Sequence, residues 1–375
     1  MIKEVRLNRI PLNRFTFLSA LLWFIASAAG LSAAQDLNAL NDVDQIASTI
    51  PAKRDLNPYG VALVPVTSGK LVAGNILVSN FNNSANQQGT GTTIMQINPN
   101  GGVELFAEIV AAELPAPCPG GVGLTTALVA LRSGWVIVGS LPTSDGTSAT
   151  VGAGCLIVLD HNGHPVETIS GGLIKGPWDM TALDGDEIAV LFVTNVLNEL
   201  DPNAPKPQDT ATVVRVVLDV DDSDKPRVLL STVIGSGFPA HFDPVALVIG
   251  PTGLALNDDN DVLFVADSVN NRIAAISNPL IRTSSAGLGS TFSQGGALND
   301  PLGLVRAPNG DLITANGGDG NLVQIDHDGK QVATKLVDTS GSPPGSGALF
   351  GLQATKAGIF FVNDATNTLN FLGNQ

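Results

Sequence analysis

The sequence predicts an all-β fold, a six-bladed β-propeller of four-stranded antiparallel blades, and three observations predict it. One unit recurs six times: a Pro-x-Gly with an apolar run, a polar turn, a second apolar run ending in a short polar residue, and a third run. The 41 glycines and 23 prolines, with aromatic residues at only 5%, suit a chain that turns often. Finally, a lone strand-like segment precedes the first unit, while the last unit stops one strand short. Radial repetition of four-stranded sheets leaves only short edges, which is how such a chain avoids edge-to-edge pairing.

Residues 1–34 come first. Lys3, Arg6, Arg9 and Arg14 flank the apolar run FTFLSALLWFIASAAG, and Ser32, Ala33 and Ala34 follow. A basic region, a short apolar region and small residues at a cleavage site read as a secretory signal peptide, so the chain is expected to be exported, periplasmic or extracellular. Cleavage would change the formal charge from −15 to −18, because four basic residues and Glu4 are lost. An acidic protein repels phosphate backbones and anionic lipid, which excludes nucleic acid and membrane surfaces as partners. No later run is long and apolar enough to span a bilayer, and a monomer is expected.

The rest, residues 35–375, reads as one propeller domain. The segment DQIASTI (44–50) is the closing strand, expected to complete the last blade. Blades start near 57, 120, 176, 250, 300 and 348, with NPYGVAL, GGVGLTT, GPWDMTA, GPTGLAL, DPLGLVR and ALFGLQA as their first strands. Their shared glycine position holds Gly60, Gly123, Asp179, Gly253, Gly303 and Gly351. Each second strand ends in a short hydrogen-bonding residue: Asn80, Ser140, Asn195, Asp267, Asn316 and Asp364. Short polar side chains bond nearby backbone readily, so this ring is read as a repeated turn brace and not as a catalytic site. The third and fourth strands join through Asn, Asp and Gly turns, a hairpin signal.

Strand direction places the Pro-x-Gly ring and the Asp/Asn ring on one face, called the top, with the long variable loops. Cys118 and Cys155 both fall at the top of the second blade, and in an exported chain a pair of cysteines reads as a disulfide.

LFVADSVNNRIAAI beside GPTGLAL resembles the NHL repeat, and the mature chain is similar to an exported NHL-type six-bladed propeller. That resemblance implies fold more than function, since such folds host binding scaffolds and enzymes alike. Enzymatic propellers of the lactonase type hold calcium in the central channel, and those of the amidating-lyase type use zinc. Here the positions before the glycine register read Tyr59, Val122, Trp178, Thr252, Leu302 and Phe350, without a carboxylate, and His241 is the single top-face histidine. Calcium wants six to eight oxygens and zinc three or four ligands, so no cofactor is expected on the leading reading. Phosphate loops, dinucleotide fingerprints and nucleophile elbows are missing as well.

The leading expectation is therefore a scaffold, leaning away from catalysis, that binds a small molecule, a glycan or a protein through its loop-rich top face. Its binding candidates are Asp179, Trp178, Tyr59, His241 and Phe350. The alternative is a secreted metal-dependent hydrolase or lyase, lactonase-like or amidating-lyase-like, with calcium or zinc at the channel near Asp179. Asp179 is where the repeat breaks, and breaks of local pattern are where function concentrates.

Overall fold

The structure is a computed structural model that describes residues 36–221, 225–257 and 259–374. The signal-peptide reading of residues 1–34 lies outside these residues. Six antiparallel sheets stand around a central axis, five with four strands and one with five. Their innermost strands are Leu56–Leu63, Leu124–Ala130, Pro177–Asp184, Pro251–Leu256, Pro301–Arg306 and Leu349–Ala354. Among the described residues no helix is long and apolar enough to cross a membrane.

The core is divided among the gaps between blades. Leu77 and Ile94 of blade one pack on Val136, Val138 and Ile157 of blade two. In the same way Phe192 and Val213 of blade three meet Leu263 and Val265 of blade four. Ile76 and Val78 meet Phe360 and Val362 where blade one returns to blade six. Middle strands covered on both faces have no reason to alternate polar and apolar residues, and Ile76–Asn82 and Cys155–Leu159 are buried throughout.

The ring closes through Asp42–Ser48, which pairs antiparallel with Thr368–Gly373, so the last sheet is built from both ends of the described chain. This strand begins two residues earlier than the 44–50 read from the sequence.

Every innermost strand carries a bulge near its start, after the first residue in five blades and after the third, Pro58, in blade one. Pro58 faces Asn80, but the register has slipped by the time Val61 faces Val78; Pro177, Pro251 and Pro301 begin identical slips. Proline is tolerated at a strand start because its missing N–H falls at the edge of the ladder. At the bulge, backbones of adjacent blades touch: a Cβ at Gly303 would strike the Phe350 carbonyl, and one at Gly351 the Tyr59 carbonyl.

Two register assignments are corrected. In blade two the bulge runs from Leu124 to Leu128, one residue longer than elsewhere, which puts Thr126 on the channel and leaves Gly123 outside the strand. In blade six the residue facing Leu349 is Asn363, so Asp364 stands one place beyond the brace ring.

The brace ring fastens the segments that lead into the blades. Asn195 Oδ1 accepts the Lys175 and Gly176 amides at 2.8 and 2.6 Å, and Ser140 Oγ accepts that of Gly123 at 3.0 Å. Asn80 Nδ2 donates to the Thr49 carbonyl at 3.0 Å, and Asn316 Nδ2 to that of Ala297 at 2.8 Å. Asp267 differs, because its Oδ2 takes Nε and Nη2 of the buried Arg272, each at 2.9 Å, and Asn270 Nδ2 at 3.0 Å. Cys118 and Cys155 are joined in a disulfide with a Cα separation of 5.4 Å.

Candidate functional site in the central channel

Blade three is the one that departs from the others. Its outermost strand, Arg227–Asp243, runs on above the sheet and turns back through Leu247–Ile249, with Phe242 facing Val248 and Asp243 facing Leu247. This hairpin lies over the top of the axis. There Leu247 and Val248 pack with Tyr59, Phe81, Leu141 and Trp178 in one buried cluster. Tyr59 is stacked between Phe350, at 3.9 Å between ring centroids, and Phe81, at 4.4 Å. Trp178 meets Tyr59 edge-on at 6.1 Å. Tyr59 and Trp178 are only 3% and 4% exposed, so this end of the channel is plugged.

Below the plug the channel continues as a cavity of about 200 Å³. Its walls are the later halves of the innermost strands, and its mouth lies where they end, near Leu63, Leu131, Asp184 and Gln353. The opening is thus on the face opposite the one expected. Tyr59, Trp178 and Phe350 belong to the plug and not to a mouth. Physically, the reason is the hairpin: an insertion in a single blade covers the top, and nothing in the other five units announces it.

Asp179 stands at the inner end of the cavity, directly after Trp178 in the chain. Its backbone is pinned, because its N–H donates to Thr194 Oγ1 at 2.9 Å and that hydroxyl donates back to the Asp179 carbonyl at 3.2 Å. Its Oδ1 accepts the Met180 amide at 2.6 Å. Oδ2 has no protein partner among the described residues, and the half-buried side chain lines the cavity. Val61, Leu128, Leu254, Leu304 and Leu352 surround it. Burial among these walls raises the Asp179 carboxyl to about 7, and the Met180 amide opposes this only in part. The other ionisable group on the cavity wall, Asp184, sits at the mouth and accepts the Arg132 amide at 2.7 Å.

Two further carboxyls on the top are displaced in the same direction. Burial raises Asp364 to about 7, and Asp364 adds to the burial that holds the Tyr59 phenol well above its usual range. Asp300 is raised to about 6, first by burial and then by the charge of Asp243. His241 faces Ile249 within the hairpin, and its Nδ1 is buried without a partner.

Calcium or zinc needs several converging oxygen, nitrogen or sulfur donors. The cavity offers two carboxylates, Asp179 at one end and Asp184 at the other, with Thr126, Thr181 and Gln353 as its remaining polar side chains. Among the described residues no three His, Cys, Asp or Glu side chains converge as a metal-binding group. That donor set does not fit either ion, and no chemical step is drawn through one.

No protein-family model matches the chain, that of the NHL repeat included. No curated protein matches it either. Solved structures do. A gluconolactonase from Xanthomonas campestris superposes with a TM-score of 0.52 at 13% identity, covering 89% of this chain and 96% of that one. A luciferin-regenerating enzyme gives 0.52 at 10% identity, over 89% and 95%. The PQQ-bound aldose sugar dehydrogenase from Streptomyces coelicolor gives 0.51 at 15% identity, over 88% and 98%. At such identities the likeness is one of fold. These neighbours are nevertheless enzymes, and with the top of the channel plugged they overturn the expectation of a non-catalytic scaffold that binds through its top face.

Proposed function

We propose that the protein is an enzyme, a hydrolase or lyase of a small uncharged molecule, working in the central channel with Asp179 as general base. The observation that carries this is a single carboxyl, held near 7 by burial, standing at the inner end of the channel cavity where four of the other blades place a glycine. A base titrating near neutrality combines a useful ionised fraction with the strength to take a proton. Met180 N–H holds Oδ1 and Thr194 pins the Asp179 backbone, which leaves Oδ2 to remove a proton from water or from an acidic C–H of the substrate. The narrow channel favours a neutral ligand of limited size, since burying a second charge beside Asp179 would be costly.

The resemblance to NHL repeats and the enzymatic neighbours agree with this reading at the level of fold. We infer also that the mature protein is exported. A basic and apolar leader, the acidic composition and the Cys118–Cys155 disulfide support that placement.

The test is a screen of small lactones and esters against the purified protein beside the D179N variant, with circular dichroism to show both folded. Removing a positioned general base should lower kcat/KM by about 10²–10⁴-fold. In the unmodified protein kcat/KM should rise with pH through about 7, as the Asp179 proton is lost. Turnover that D179N keeps in full would remove Asp179 from the reaction.

A further inference from the structure

The channel has two ends, and only one is open. The other is closed by the hairpin of residues 241–249, whose construction differs from the rest of the propeller in four respects.

Its flanks are jointed. Gly237 holds a left-handed backbone, with φ of 81° and open space around it, and Gly250 follows the returning strand. Its inner surface is a stopper: Leu247 and Val248 are 1% and 2% exposed against the aromatic cluster, while Val245 at the tip is 81% exposed. Leu247 adopts φ of 67°, a left-handed conformation that strains a Cβ-bearing residue and is kept only where packing insists on it.

Its fastening to blade one is thin, with Gln88 Nε2 donating to the Val245 carbonyl at 2.5 Å while Gln88 Oε1 stays buried without a partner. Lastly, the hairpin carries Asp243, whose charge reaches Asp300 of blade five. Asp243 Oδ1 is used within the hairpin, accepting the Val245 and Ala246 amides at 2.7 Å each. Asp300 Oδ1 is buried without a partner. The other groups holding Asp300 are neutral: Asn271 Oδ1 accepts its amide at 2.6 Å, and its carbonyl accepts the Gly317 amide at 2.7 Å. The charge that acts on it is that of Asp243.

We propose that the 241–249 hairpin is a lid on the second end of the channel, and that repulsion between Asp243 and Asp300 is what lifts it. With Asp300 protonated the pair carries one charge and the stopper seats. With both ionised, two like charges face each other in a half-buried site, and the strained Leu247 is released from the aromatic cluster. Burial together with the Asp243 charge places the changeover near pH 6. This gate does not depend on what reaction the channel performs.

The two native cysteines are bonded to each other, so a cysteine introduced by V248C in the full chain is the sole free thiol. Its rate of maleimide labelling, divided by that of glutathione at the same pH, reads lid opening free of thiol chemistry. Between pH 5 and pH 8 this ratio should rise at least tenfold, and the rise should vanish in V248C/D300N and in V248C/D243N. A reporter in a blade interior, A274C, should stay protected throughout. A ratio independent of pH, a rise that survives both Asn changes, or equal exposure of A274C overturns the lid. Amide hydrogen exchange of residues 241–250 in the unmodified chain, corrected for intrinsic rates, gives the same reading if V248C does not fold. Protection unchanged between pH 5 and pH 8 again overturns it.

Discussion

Asp179, Asp364 and Asp300 titrate near 7, 7 and 6, all above the ordinary carboxylate range. The folded protein therefore keeps protons that the unfolded chain has already released between about pH 4 and 7. The sign follows by linkage: their contribution to stability is complete below about pH 4 and is lost as pH rises through 6–7. Thermal melting should show D179N close to the parent at pH 4.5 and more stable at pH 8, by about 2–4 kcal/mol. Equal melting temperatures at pH 8 would mean that Asp179 is not ionised at a cost. Asp267 stands instead beside a charged partner. With 0% and 7% side-chain exposure, it and Arg272 form a buried pair, and removing one partner strands a charge. R272A should cost about 3–5 kcal/mol in denaturant unfolding, far more than a surface pair. Asp179 was legible as the break in a repeat. The exchange of Asn363 for Asp364 was not, because two hydrogen-bonding residues stand side by side in FVNDATN and only strand pairing decides between them.

At the scale of strands and blades, the unit read six times is present because alternate needs coincide: middle strands buried on both faces, bulged inner strands, and a brace at each strand end. The glycine register reflects contact between blades. G303A would drive a Cβ into the Phe350 backbone, and a loss of about 1–3 kcal/mol is expected in unfolding titrations. In blade two the longer bulge disguised the register, since one inserted residue shifts every later one to the other face. The hairpin over the axis was missed for a different reason. GSGFPAHFDPVALVIG carries apolar and turn residues like any interblade connection, and what it covers depends on an aromatic plug drawn from blades one, three and six. The disulfide ties the entry of blade two to its third strand across 37 residues. Reduction should lower stability by about 3–4 kcal/mol on a chain-entropy estimate, measured as a shift of the unfolding midpoint in reductant.

For the molecule as a whole, the sequence carried the architecture because repetition averages out local ambiguity: one poorly matching blade is placed by its neighbours. It carried less about the site, which rests on the one insertion and the one substitution that are not repeated. The direction in which the channel opens is a property of six blades together. The enzymatic reading likewise comes from the assembled cavity, where an acid that is unremarkable in GPWDMTA meets walls from five other strands.

The pairing of Asp42–Ser48 with Thr368–Gly373 also sets an order of events in time. The residue that faces Val43 is Leu372, so the first strand among the described residues waits for the last. Widely separated contacts cost only slowly more entropy as the loop lengthens, but they slow the search for the native state. A chain that lacks Thr368–Gly373 holds an open arc with two exposed sheet edges, and expression of residues 36–367 should yield protein that is degraded and not a smaller propeller.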